Sequence, residues 1–203
     1  MSLLVTSFLV AGGLLLGRWI AKGGRPTPTP SLTPTPTPKP MDGDPFADMP
    51  CKLGDVVIRA GGDEAWLAGA VIFSEDYPVA VLFVAPDAGK DRGIYARARP
   101  SEELLWLEPV PDGELTVGAE PPTALEHANV RYERSRRLPV KVERVGAGAP
   151  DVGEQVIIAE YASGGFERLI LVTGSGASRA WGGTALEAGM YDVLPSGKST
   201  LDP

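Results

Sequence analysis

From Lys52 to Leu194 the chain alternates short apolar stretches with breaks rich in glycine and proline. The stretches are Asp55–Ala60 (DVVIRA), Trp66–Ser74 (WLAGAVIFS), Val79–Ala85 (VAVLFVA), Gly93–Arg99 (GIYARAR) and Leu104–Val110 (LLWLEPV). After them come Val130–Arg134, Val140–Val145, Gln155–Tyr161 (QVIIAEY), Leu169–Thr173 (LILVT), Ser178–Gly182 and Met190–Leu194. Enrichment in Val, Ile, Tyr and Trp, with turn residues every eight to twelve positions, predicts strands. Asp87-Ala-Gly89, Ser163-Gly-Gly165 and Gly174-Ser-Gly176 are the clearest turns. No stretch keeps an apolar 3.6-residue period over a dozen positions; the best helical candidate is Pro121–Ala128. The pattern predicts a mostly-β domain, either barrel-like or a two-sheet sandwich. Each half has a strongly apolar strand (VAVLFVA; RLILVT), a glycine-containing turn and an aromatic-bearing strand, so the domain can be read as two related halves.

The first forty residues follow another pattern. Leu3 to Ala21 (LLVTSFLVAGGLLLGRWIA) is a predominantly apolar run whose only charge is Arg18. As a helix it would span about 28 Å, close to the hydrocarbon thickness of about 30 Å. Arg18 and Trp19 sit where interfacial residues belong. The bases Arg18, Lys22 and Arg25 follow the apolar run and none precedes it, which favours a retained transmembrane anchor over a cleaved signal peptide. The same bases place the domain on the cytoplasmic side of a single-pass cell-membrane protein. Gly13 and Gly17 have the G-x-x-x-G spacing by which membrane helices dimerise, although glycine is also common in such helices.

Arg25 to Pro40 (RPTPTPSLTPTPTPKP) cannot form helix or sheet, because proline fixes φ and removes amide donors. As polyproline II, about fifteen such residues reach about 46 Å and act as a spacer. Met41 to Pro50 continues as an acidic lead-in, with the core expected to begin near Leu53. The expected organisation is therefore an anchor over 1–24, a Pro/Thr-rich linker over 25–50 and a soluble domain over 51–203.

Charge changes the list of partners. The chain has 19 Lys and Arg against 26 Asp and Glu. All the acids lie beyond residue 41 and four bases lie before it, so the remainder holds 26 acids against 15 bases, a net of −11. Such a surface repels phosphate backbones and argues against nucleic acid. The expected partners are instead the membrane, through Leu3 to Ala21, and a protein or small ligand.

The opening Lys52-Leu-Gly-Asp-Val-Val57, then Leu105-Trp-Leu107, Val130-Arg-Tyr132, Val145-Gly146, Glu160-Tyr161, Gly182-Gly183 and Val193-Leu194 resemble a bacterial family known as domain of unknown function 4178. The resemblance covers about residues 52–195. It implies a β-rich domain. The family has no assigned activity, so it supplies no catalytic residues.

Candidate chemistry is sparse. Gly197-Lys198-Ser199-Thr200 resembles the end of a P-loop, but Asp192 stands where the first glycine is needed. Gly146-Ala-Gly148 and Gly174-Ser-Gly176 lack the third glycine of a dinucleotide fingerprint and read as turns. One histidine, His127, excludes a multi-histidine metal site, and its neighbours suggest an exposed connection. Cys51 borders the linker, a poor place for a preorganised nucleophile. The pairs Asp63-Glu64, Glu75-Asp76 and Glu102-Glu103 point to opposite faces of a strand and read as solvated turns. Arg131 to Arg137, with Lys141 and Arg144, form one basic patch, read as a strand face that pairs with the excess acids. We therefore assign no catalytic, cofactor-binding or metal-binding residue from the sequence. The expected function is a membrane-tethered binding or scaffold module. The alternative is a carboxylate-based hydrolase acting on envelope polymers with the domain outside.

Overall fold

A computed structural model describes residues 43–87, 90–115, 117–118, 120–174 and 178–196, all within the compact unit Pro40–Pro203. The anchor, the Pro/Thr stretch, the Gly13–Gly17 pair and the Gly197–Thr200 motif lie outside the described residues. Among the described residues no helix is long and apolar enough to cross a membrane.

The described chain contains twelve strands: β1 (Val56–Arg59), β2 (Glu64–Trp66), β3 (Gly69–Ser74), β4 (Pro78–Asp87), β5 (Lys90–Arg97), β6 (Leu104–Pro109), β7 (Ala124–His127), β8 (Val130–Gly146), β9 (Gln155–Ala162), β10 (Glu167–Thr173), β11 (Ser178–Leu186) and β12 (Tyr191–Leu194). The large sheet runs β3-β4-β5-β6-β11-β10-β9-β8-β7, and a further β3–β8 pairing closes eight of its strands into a barrel. Of the two architectures the sequence allows, the barrel is the one adopted. It consists of two four-strand meanders, β3 to β6 and β8 to β11. They are joined last strand to last and first to first, both antiparallel.

Alternation sends one set of side chains inward from all eight strands. Val71, Phe73, Leu82, Tyr95, Leu107, Val140, Ile158, Ile170 and Trp181 belong to this interior cluster and fill it. Fully burying an aliphatic or aromatic side chain of this kind contributes about 1.5–3 kcal/mol. The outward face of the first meander is covered by a second cluster. Ile72, Phe83, Ile94 and Trp106 pack there with Val57 and Leu67 of the small sheet β12-β1-β2 and its flank. A third cluster, with Tyr161, Leu169, Leu171 and Tyr132, packs with Val110, Leu115 and Leu125 on the second meander.

Both joins between the meanders need glycine. At the β3–β8 join Gly69 pairs with Gly146, and a Cβ on Gly69 would stand 2.1 Å from the Ala147 carbonyl oxygen. At the β6–β11 join a Cβ on Gly183 would stand 2.0 Å from the Trp106 carbonyl oxygen.

The structure corrects four expectations. Trp66–Ser74 is two strands, because Leu67 donates to Asp55 O while Ala68 donates to Val84 O, so the chain changes sheets there. Val130–Arg134 and Val140–Val145 are ends of one strand, interrupted by a bulge between Arg134 and Arg136. Its inner proline, Pro139, lies between the part paired with β7 (to Glu133) and the part paired with β3 (from Lys141), where only β9 is a neighbour. The Pro121–Ala128 segment is no helix: Ala124–His127 forms β7, in register with β8. The lead-in before Cys51 is folded, since Phe46 and Met49 are buried in the second cluster and Phe46 lies 5.6 Å from the Phe83 ring. The basic patch does pair with acids, on both sides of the wall: Arg134 and Arg137 with Glu120, Arg136 with Glu160 and Arg144 with Asp151.

Candidate binding cleft on the barrel wall

The barrel interior is filled, so a ligand must sit on the wall or at a mouth. Between the two outer covers lies a cleft of about 520 Å³. Its lining includes Gly182, Gly183 and Thr184 of β11, and Trp106, Glu108 and Pro109 of β6. Arg59 of β1 contributes from the small sheet, and His127, Ala128, Val130 and Tyr132 from the β7–β8 hairpin; Glu167 completes the lining.

Gly182 keeps the cleft open. A Cβ placed there would find Val110 Cγ2 at 3.7 Å and His127 Cδ2 at 3.9 Å, which are ordinary contacts. Glycine at this position is therefore not forced by the backbone, and any larger side chain would occupy the cleft. Two guanidinium groups stack on the Trp106 ring, Arg59 at 5.0 Å and Arg92 at 4.7 Å from its centroid. Arg59 is also held by Asp63, whose Oδ2 accepts from Arg59 Nε at 2.7 Å.

The hairpin wall is shaped by a tight turn. Ala128 (φ 50°) and Asn129 (φ 62°) both occupy the left-handed region, as a two-residue turn between antiparallel strands with the right-handed twist requires. Asparagine tolerates this conformation, whereas alanine is strained by about 1–2 kcal/mol. His127, read from sequence as an exposed connection, ends β7, is half-buried and lines the cleft. Burial, and secondarily the charge of Glu167, push the Tyr132 phenol above its ordinary range. The Ser163 hydroxyl, donating at 2.6 Å, is the main cause that holds Glu167 below the usual carboxylate range.

Other residues weighed in the sequence lie apart from this cleft. Cys51 is buried in the second cluster, and its thiol is pushed up to about 12, first by desolvation and then by Asp55. Asp63 neutralises Arg59, and Glu103 accepts from Arg97 at 2.7 Å. Gly146, the last residue of β8, and Gly148 take positive φ where the chain leaves the strand, in place of the simple turn read from the sequence. Among the described residues no three His, Cys, Asp or Glu side chains gather as a metal site. A further groove, of about 590 Å³, runs along Pro139–Lys141 and Gln155–Ile157, with Glu75, Asp76 and Thr173 around it.

Sequence reasoning missed a buried acid on the inner face of the barrel wall. Glu160, 7% exposed, lies in β9 and accepts from the buried Tyr95 hydroxyl at 2.7 Å. Arg136 approaches the same carboxylate at 3.4 Å and Arg97 at 3.7 Å. An acid inside the otherwise apolar run Val156–Tyr161 was the available signal. No family model, curated protein or solved structure matches the chain.

Proposed function

We propose that the chain is a membrane-tethered binding module, related to the domain of unknown function 4178 family, whose ligand or protein partner seats in the Gly182 cleft. The observation that carries this reading is the cleft itself. Arg59, Glu108, His127, Tyr132 and Thr184 line it over a position that could carry a side chain without backbone strain and does not. The apolar Leu3 to Ala21 segment is the proposed tether, and the bases after it support a cytoplasmic domain. The Pro/Thr stretch is the spacer, and the Gly13–Gly17 spacing supports association of two anchors. Affinity capture of the full chain from detergent extracts tests the module. A partner whose recovery depends on the cleft is expected; turnover of a substrate with no partner recovered would contradict it.

A second reading has one favourable observation. Glu108 and Glu167 line the same cleft, as a hydrolase using two carboxylates would need. Glu167, held as a carboxylate by Ser163, would serve as base or nucleophile and Glu108 as the acid. This reading requires an extracytoplasmic domain. An active alkaline phosphatase fused after Pro203, with hydrolysis lost in E108Q and E167Q, would support it. A cytoplasmic fusion would exclude it.

A further inference from the structure

We propose that one mouth of the barrel is a second binding site, for a monoanionic carboxylate that carries an apolar group. The site lies apart from the Gly182 cleft and rests on different residues. A depression of about 460 Å³ opens there, lined by Arg97, Arg99 and Arg136 with Glu75, Tyr77 and Pro100 among the remaining residues. It adjoins the stretch of β8 between Glu133 and Lys141 that has only β9 beside it.

Donor accounting shows what the mouth can still bind. Arg97 gives one terminal nitrogen to Glu103 at 2.7 Å, and the other stands 3.7 Å from Glu160. Arg136 meets Glu160 through one terminal nitrogen at 3.4 Å. Arg168 joins the network through Glu103 at 3.6 Å. Arg99 is exposed and has no ion pair among the described residues. A guanidinium carries five donors in a rigid fork that fits a carboxylate edge. Arg99 therefore offers its whole fork, and Arg136 offers the donors that Glu160 does not use.

Charge balance sets the ligand class. Three guanidinium groups (Arg97, Arg99, Arg136) line the depression against one lining carboxylate (Glu75); Glu103 and Glu160 engage Arg97 and Arg136, so Arg99 is the lining guanidinium without an ion pair among the described residues. One incoming carboxylate completes the network. Glu75 on the same rim repels a second negative charge and so selects against dianions such as phosphate. Tyr77, 65% exposed on that rim, and Pro100 offer an apolar platform for the rest of the ligand.

Benzoate is a suitable probe, titrated into the full chain in nanodiscs of neutral lipid and followed by ligand-observed NMR. Saturable binding is expected, weakened about tenfold in Arg99→Gln, the loss expected for one charge-assisted contact. Tyr77→Ala should weaken benzoate while leaving acetate unchanged. Arg144→Gln, whose partner is Asp151, should match the wild type. Both mouth substitutions are at exposed positions, and unchanged melting temperatures check that the fold survives. Absence of saturable benzoate binding, wild-type affinity in Arg99→Gln, or phosphate binding more tightly than benzoate would each overturn the proposal.

Discussion

The same methyl group added at two adjacent glycines should have opposite effects. In Gly183→Ala the new Cβ would stand 2.0 Å from the Trp106 carbonyl oxygen, 2.9 Å from Leu107 Cα and 3.0 Å from the Trp106 carbonyl carbon. All three are backbone atoms of the facing strand, so no rotamer can relieve the contact. Real Cβ atoms stay beyond 3.0 Å from such neighbours, so β11 and β6 must separate by about 1 Å. That loosens ladder bonds around the Gly183–Leu107 pair, each worth about 1 kcal/mol, and adds overpacking strain of about 1–3 kcal/mol. A loss of about 4 kcal/mol results. In Gly182→Ala the new Cβ meets only side chains at 3.7 and 3.9 Å, and the stiffer unfolded chain should contribute about 0.5 kcal/mol of stability. Urea unfolding of residues 40–203, followed by the fluorescence of the buried Trp106 and Trp181, measures both variants. For a domain of this size the Gly183 loss corresponds to about 10 °C in Tm. Two alanine variants within about 1 kcal/mol of each other would refute the close strand approach at this join.

The buried acid gives a second test. Glu160→Ala strands the Tyr95 hydroxyl and leaves Arg97 and Arg136 short of a counter-charge, so it should cost about 3 kcal/mol; Tyr95→Phe removes one hydrogen bond and should cost about 1 kcal/mol, both read by urea unfolding. Stability should also fall in alkali. The folded state holds the Cys51 proton up to about 12 while the unfolded thiol titrates near 9.0, so its contribution is complete below that lower value and is lost as pH rises between them. Tyr95, held above 10.0 mainly by burial, acts in the same direction at still higher pH. The urea midpoint should therefore drop between about pH 9 and about pH 12, less steeply in Cys51→Ala. Native Cys51 should react with a thiol reagent only at the rate of unfolding, whereas rapid labelling would place it outside the core.

Local pattern carried most strand positions, because β-branched and aromatic runs bounded by glycine and proline dictate extended backbone wherever they occur. The errors have a common cause in tertiary context. Arg134 to Pro139 reads as polar and proline-broken, yet it continues β8 because a bulge lets Arg134 and Arg136 face opposite sides of the wall. Phe46 and Met49 lie in an acidic, proline-bearing lead-in whose composition argues for a linker; only the outer face of the first meander reveals where they pack. The cleft was hidden for the same reason. Arg59, Trp106, His127 and Gly182 are up to 123 positions apart, and the β6–β11 join that brings them together is a contact between the two meanders. Gly182 and Gly183 were visible as a pair, but their separate roles depend on what each Cβ would meet.

The Gly182 cleft is tested most directly by filling it. Gly182→Leu places its side chain between Val110 and His127, whose nearest atoms to the Cβ are at ordinary contact distances, so the barrel should keep its stability within about 1 kcal/mol. Affinity capture with the full-length wild type, Gly182→Leu and the distant Arg144→Gln, quantified by mass spectrometry, compares what each retains. One or more ligands or partners recovered with the wild type and Arg144→Gln should be lost with Gly182→Leu. Retention of the same set by a folded Gly182→Leu protein would contradict binding at the cleft.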